Sequence, residues 1–144
     1  SEQDVVVSVA ASRVFREKLL SAPTYGCVNI HSSLLPKYQG MMPVYWQMRD
    51  GCEEIGITIH KMIEKLDSGD ILMQRIIPIA DCDTLDRAIS KTKRAGARMM
   101  VEFLLNFRKF FDNPTVCDIS EATYFSFPDR ASTVQFLATG KKLL

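Results

Sequence analysis

The stretch Asn29-Ile30-His31-Ser32-Ser33-Leu34-Leu35-Pro36 decides how this chain is read, because it ends an apolar run and opens into a loop that closes at Gly40. In an extended strand alternate residues share a face, so Asn29 and His31 present a carboxamide and an imidazole side by side. At the C-terminal end of a strand in an open α/β sheet, such a pair lies in the crevice where these folds bind ligands. Upstream, Val5-Val6-Val7-Ser8-Val9-Ala10 is β-branched with little alternation, the pattern of a strand buried on both faces of a parallel sheet. A short helical segment through Lys18, Leu19 and Leu20, stopped by Pro23 and a Tyr25-Gly26 turn, joins the two strands into a βαβ unit.

Downstream, Pro43 is placed as the first residue of a short helix ending at Gly51. Ile55, Ile57 and Ile59 alternate with Gly56, Thr58 and His60, so the isoleucines share one face of a strand and Thr58 and His60 the other. A polar interruption containing Asp67-Ser68-Gly69-Asp70 separates this strand from a second, Ile71 onward, ended by Pro78. Asp67 thus sits in a tight loop between two strands. From Asp83-Thr84 a long helix begins, with Leu85, Ala88, Ile89, Met99, Met100, Phe103, Leu104 and Phe107 at helical spacing, and it is expected to cover the sheet. Arg87, Lys91, Arg94 and Arg98 form a basic stripe on it, read as a solvated face. A short helix from about Asp129 to Ala138 follows, capped by Gly140.

The chain's 144 residues, 47% of them hydrophobic, suffice for one domain with a real core. A formal net charge of +1 creates no global field for nucleic acid or an anionic membrane. The four cysteines, Cys27, Cys52, Cys82 and Cys117, stand singly and read as reduced structural thiols. No apolar run approaches the roughly 20 residues a membrane helix needs, and no signal pattern opens the chain; a cytoplasmic location is expected.

Asn29 offers a neutral donor for a developing oxyanion, His31 an acid or base, and Asp67 a carboxylate to orient the imidazole. Together these suit attack on a carbonyl. No serine or cysteine is placed as a nucleophile beside His31, so the attacking group belongs to a substrate such as an amine. Two histidines without HExxH or paired cysteines make a poor zinc site, and no metal is expected.

The run Asn29-Ile30-His31-Ser32-Ser33-Leu34-Leu35-Pro36-Lys37-Tyr38-Gln39-Gly40, followed by Leu66-Asp67-Ser68-Gly69-Asp70-Ile71-Leu72, resembles the folate-dependent formyltransferases, which include the phosphoribosylglycinamide, methionyl-tRNA and sugar-amine N-formyltransferases. The resemblance runs from about Val5 to Gln74. It implies an α/β fold, an open and mostly parallel sheet with flanking helices, like the C-terminal half of a formyltransferase Rossmann-like domain. It implies an N-formyltransferase using 10-formyltetrahydrofolate as donor and an amine as acceptor, with catalytic roles on Asn29, His31 and Asp67. The implied folate pocket draws on Ser12, Arg13, Val14 and Phe15, on Ser33, Leu34, Leu35 and Pro36, and on Ile63, Glu64 and Lys65 up to Asp67.

Departures from the family pattern are Ile63, where many relatives carry an aspartate, and Met41-Met42 in place of small residues. His60 is more typical of the glycinamide and sugar enzymes, and a small-molecule or sugar amine is favoured over methionyl-tRNA, with tRNA as the remaining nucleic-acid partner. The chain begins at what would be the family's fourth strand, so residues 1–112 read as a partial catalytic domain and 113–144 as a C-terminal tail with a short helix. Missing sheet neighbours would come from an absent N-terminal half or from a second copy. The alternatives are a truncated, non-catalytic folate- or partner-binding scaffold and a formyltetrahydrofolate hydrolase.

Overall fold

The structure, a computed structural model, describes residues 3–11 and 13–144. The chain runs through β1 (Val6–Val9), α1 (Glu17–Leu20), β2 (Cys27–His31), β3 (Gln39–Gly40), α2 (Pro43–Arg49), β4 (Glu54–Lys61), β5 (Ile71–Pro78), α3 (Leu85–Leu105), α4 (Phe107–Phe111), β6 (Tyr124–Phe125) and α5 (Arg130–Ala138). Four strands form one sheet in the order β1-β2-β4-β5, and β3 and β6 form a second, two-stranded one.

The α/β architecture is the expected one, but the main sheet is mixed rather than mostly parallel. Only β1 and β2 run parallel; β2 with β4 and β4 with β5 are antiparallel. Parallel neighbours need a long crossover between them, and residues 62–70 between β4 and β5 hold no helix that could make one. The expectation of a first strand buried on both faces also needs correction. Among the described residues β1 pairs only with β2, its burial is partial, and its Val9 is 65% exposed.

Helix α3 starts where Thr84 accepts the Arg87 N–H with its hydroxyl, capping one of the backbone donors a helix start leaves free. Its face of Met99, Met100 and Phe103 packs on Val28, Ile57 and Ile59 of the sheet. The helix stops at Asn106, so Phe107 opens α4 instead of continuing α3, and Leu104 points outward. A second cluster joins α2, the start of α3 and the tail. Phe136 of α5 is fully buried against Tyr45, with ring centroids 4.9 Å apart. Burial of one such ring contributes roughly 2–3 kcal/mol, enough to hold the tail against α2. Among the described residues, no helix is long and apolar enough to cross a membrane.

Candidate functional site

Strand register builds the first half of the site. Asn29 of β2 lies opposite His60 of β4, and His31 opposite Thr58, so these four side chains share the sheet face that the alternation predicts. Thr58, fully buried, donates to the Ser33 carbonyl at 2.6 Å and accepts from the Leu35 N–H and the Gln74 amide. These bonds lay residues 33–35 down on the sheet. Gly56 makes room for them, since a Cβ there would come within 2.3 Å of Leu34.

The hydrogen bonds assign the imidazoles. The Nε2–H of His31 donates to the Tyr38 carbonyl at 2.8 Å, which turns Nδ1 toward Asp67. In His60 the Nδ1–H donates to the Lys61 carbonyl at 2.9 Å, leaving Nε2 to accept from the Asn29 amide at 3.2 Å. Burial pushes the His60 pKa below its usual 6.5, against the pull of the Asp67 charge. A neutral, accepting His60 therefore fixes which end of the Asn29 carboxamide faces it: the reverse orientation would oppose an oxygen to a lone pair.

Asp67 completes the group from a loop. Its Oδ2 lies 3.7 Å from His31 Nδ1 and its Oδ1 3.7 Å from His60 Nε2, separations longer than a hydrogen bond. Its backbone is left-handed, φ 49°, a conformation that surrounding contacts must hold. Here the Gly40 N–H donates to Asp67 Oδ2 at 2.9 Å, and the Gln39 amide to the Asp67 carbonyl at 2.9 Å. Gln39 and Gly40 are in turn clasped by the tail. β3 pairs in parallel with β6, the Gln39 and Met41 N–H groups donate to Thr123 and Phe125, and the Trp46 indole N–H reaches the Ser126 carbonyl. Gly40 sits at φ +93°, where an added Cβ would meet the Phe125 oxygen at 2.2 Å.

These groups open on a cavity of about 1130 Å³ whose wall is mostly apolar. Asn29, His31 and Asp67 all line it, as do Arg13, Val14, Phe15, Ile63 and Glu64. Ser33, Leu34, Leu35, Pro36 and Lys65 do not; the first three are drawn back onto the sheet by Thr58. Ser12 lies outside the described residues. Sequence reasoning missed Ser8, Tyr124 and Phe127, which also line the cavity, and the supporting roles of Gln39 and Gly40. The proximity of Gln39 and Gly40 to the Asn29 motif was the available signal for the latter pair, whereas nothing local marks Tyr124 or Phe127. No group of three or more His, Cys, Asp or Glu among the described residues is arranged to hold a metal ion.

A family described as formyl transferase matches residues 1–104. The methionyl-tRNA formyltransferase of Lysinibacillus sphaericus is 39% identical over 125 residues, 87% of this chain and 40% of the relative. That of Ehrlichia chaffeensis is 41% identical over 121 residues, 84% of this chain and 39% of the relative. The chain thus spans about two fifths of the length of these curated relatives. Among solved structures, the formyltransferase PseJ from Anoxybacillus kamchatkensis, in complex with a UDP-linked formamido sugar and tetrahydrofolate, superposes with a TM-score of 0.78. At 21% identity the match covers 91% of this chain and 68% of that one. The methionyl-tRNA formyltransferase from Clostridium thermocellum superposes with a TM-score of 0.68 at 19% identity, covering 92% and 60%. At such identities the superpositions speak for the fold, which they share over nearly the whole chain; the sequence match over residues 1–104 settles the kinship, and this chain belongs to the formyl transferase family.

Proposed function

We propose that this chain carries the donor pocket and the reacting side chains of a folate-dependent N-formyltransferase, moving a formyl group from 10-formyltetrahydrofolate to an amine. The observation behind this reading is the convergence of Asn29, His31 and Asp67 on one cavity wall, with the carboxylate 3.7 Å from the imidazole. In this reading Asn29 donates an amide N–H to the formyl oxygen as negative charge develops there, and His31, protonated at Nδ1, adds a second donor. Asp67 supports the charge on His31 and accepts the proton that the attacking amine loses; the tetrahedral adduct then breaks its bond from the formyl carbon to N10, and N10 takes up a proton as tetrahydrofolate leaves. Gly40 keeps Asp67 Oδ2 in place through its backbone N–H. The pterin end of the donor would lie against the apolar side chains of Val14, Phe15 and Ile63, with Arg13 and Glu64 among the polar groups of the same wall.

Residues 1–112 are in this reading part of the catalytic domain, and 113–144 the tail that braces it; the cytoplasm, where folate cofactors and amine acceptors meet, is the expected location. For the acceptor, the identities of 39% and 41% to methionyl-tRNA formyltransferases favour methionyl-tRNA over the small amine expected from the sequence. A second reading, a sugar amine, keeps the support of His60.

Calorimetric titration with 5-formyltetrahydrofolate tests the donor site, with binding in the micromolar range, roughly −8 kcal/mol, expected. Formyl transfer is then measured to methionyl-tRNA and to a nucleotide-linked amino sugar. Absence of donor binding by the folded chain would overturn the reading, and formate release independent of any amine would mark a hydrolase instead.

A further inference from the structure

Ser8 is a polar residue in an apolar strand, and it sits at a special place in it. In the parallel register it stands beside Asn29, which stands beside His60, so Ser8, Asn29 and His60 form a row across three strands on one face of the sheet. All three line the cavity. Asn29 and His60 satisfy one another. The Ser8 hydroxyl, on a residue only 4% exposed, has no hydrogen-bond partner among the described residues. The large majority of buried side-chain polar atoms are paired, so an orphan in a cavity wall calls for a partner from the cavity. The neighbouring valines make the point sharper, since an apolar side chain here would suit the strand and leave nothing unsatisfied. The other buried hydroxyl without a partner among the described residues, that of Tyr45, belongs to a residue that also lines the cavity but packs in the α2 cluster with Phe136, outside the row that holds Asn29.

We propose that Ser8 is a donor-binding residue, its hydroxyl forming a hydrogen bond to the polar edge of the pterin ring next to Asn29. This rests on the reading of the cavity as a folate site. A pterin edge carries both N–H and carbonyl groups, and a serine hydroxyl can donate or accept with either. The contact would fix the heterocycle against β1 and so set where the formyl group lies relative to Asn29 and His31.

The test uses the whole chain, titrated calorimetrically with 5-formyltetrahydrofolate and melted without it. Ser8→Ala is expected to bind about 10- to 100-fold more weakly while its ligand-free melting temperature holds or rises, because an unsatisfied hydroxyl has been removed. Opposite signs in the two measurements are what a purely structural serine does not produce. Should Ser8→Ala fold poorly, Ser8→Thr against Ser8→Val isolates the hydroxyl at constant shape, and Thr is expected to bind at least tenfold more tightly than Val. Equal affinity of wild type and Ser8→Ala, or of the Thr and Val variants, overturns the contact and leaves the folate site standing; a water on Ser8 would give that result. Failure of the wild-type chain to bind overturns the folate reading and this contact with it.

Discussion

Asn29, His31 and His60 are placed by one kind of structure and Asp67 by another. The first three ride on β2 and β4, where register alone sets them face to face. Asp67 stands in a loop with a left-handed backbone and is held by Gln39 and Gly40, which are themselves clasped by β6 of the tail. A group placed by strand register moves only if the sheet does. One held by a clasp can be displaced from a distance, and the residues that do so need not touch the cavity.

The largest effect is expected where the charge itself is removed. Asp67→Asn retains an oxygen to accept the Gly40 N–H but loses the carboxylate. Turnover in an active form should fall by about 10²- to 10⁴-fold, with donor affinity measured by calorimetry within a few-fold of wild type. Unchanged turnover would take Asp67 out of the reaction. Next comes the clasp. Gly40→Ala forces a Cβ to within 2.2 Å of the Phe125 oxygen at a φ that suits glycine. It should cost roughly 2–4 kcal/mol, lowering the melting temperature by roughly 5–15 °C. The Trp46 fluorescence should shift too, because its indole bond to Ser126 depends on the same strap. A normal melt with native fluorescence would mean that the clasp yields easily.

The register side is probed by pH. His60 is disfavoured as a cation by burial, with Asp67 and His31 as the charged and titratable groups facing it. Below the usual imidazole value of 6.5 the unfolded chain binds a proton that folded His60 resists. Stability is therefore full above about pH 6.5 and falls as pH drops toward the lower, folded value, with a slope of at most about 1.4 kcal/mol per pH unit. His60→Gln should flatten this part of a melting-temperature profile. Asp81, Asp83, Asp118 and Asp129, whose carboxyl pKa values are held below 3.8 by their hydrogen bonds, respond only at more acid pH and do not confuse it. Protonation would also make His60 Nε2 a donor and reverse the Asn29 carboxamide. The smallest effect is expected from Thr123→Val, which takes from the Tyr38 N–H its 2.8 Å acceptor at an exposed site. About 1 kcal/mol is expected, a shift of a few degrees in the melt. A larger loss would show that the strap transmits more than this one bond.

Much of this site is legible along the chain, and the reason is range. Period-two alternation puts Asn29 beside His31 and Thr58 beside His60, and Pro43, Thr84 and Asp129 mark helix starts that the structure retains. Each depends on backbone geometry within a few residues. The valines of β1 were harder, because the same apolar run serves a central strand or an edge and only neighbours decide which.

By itself the sequence determined the α/β class and the facing of Asn29 with His31 and of Thr58 with His60 along their strands, because these follow from local periodicity and turn residues. Only the tertiary structure decided that β4 returns antiparallel beside β2 and brings His60 to Asn29. It also decided that Gly40 reaches Asp67 across 27 residues, and that Thr123 reaches Tyr38 across 85. Contacts at such separations are chosen by topology and by competition among buried faces, which no short window of sequence contains.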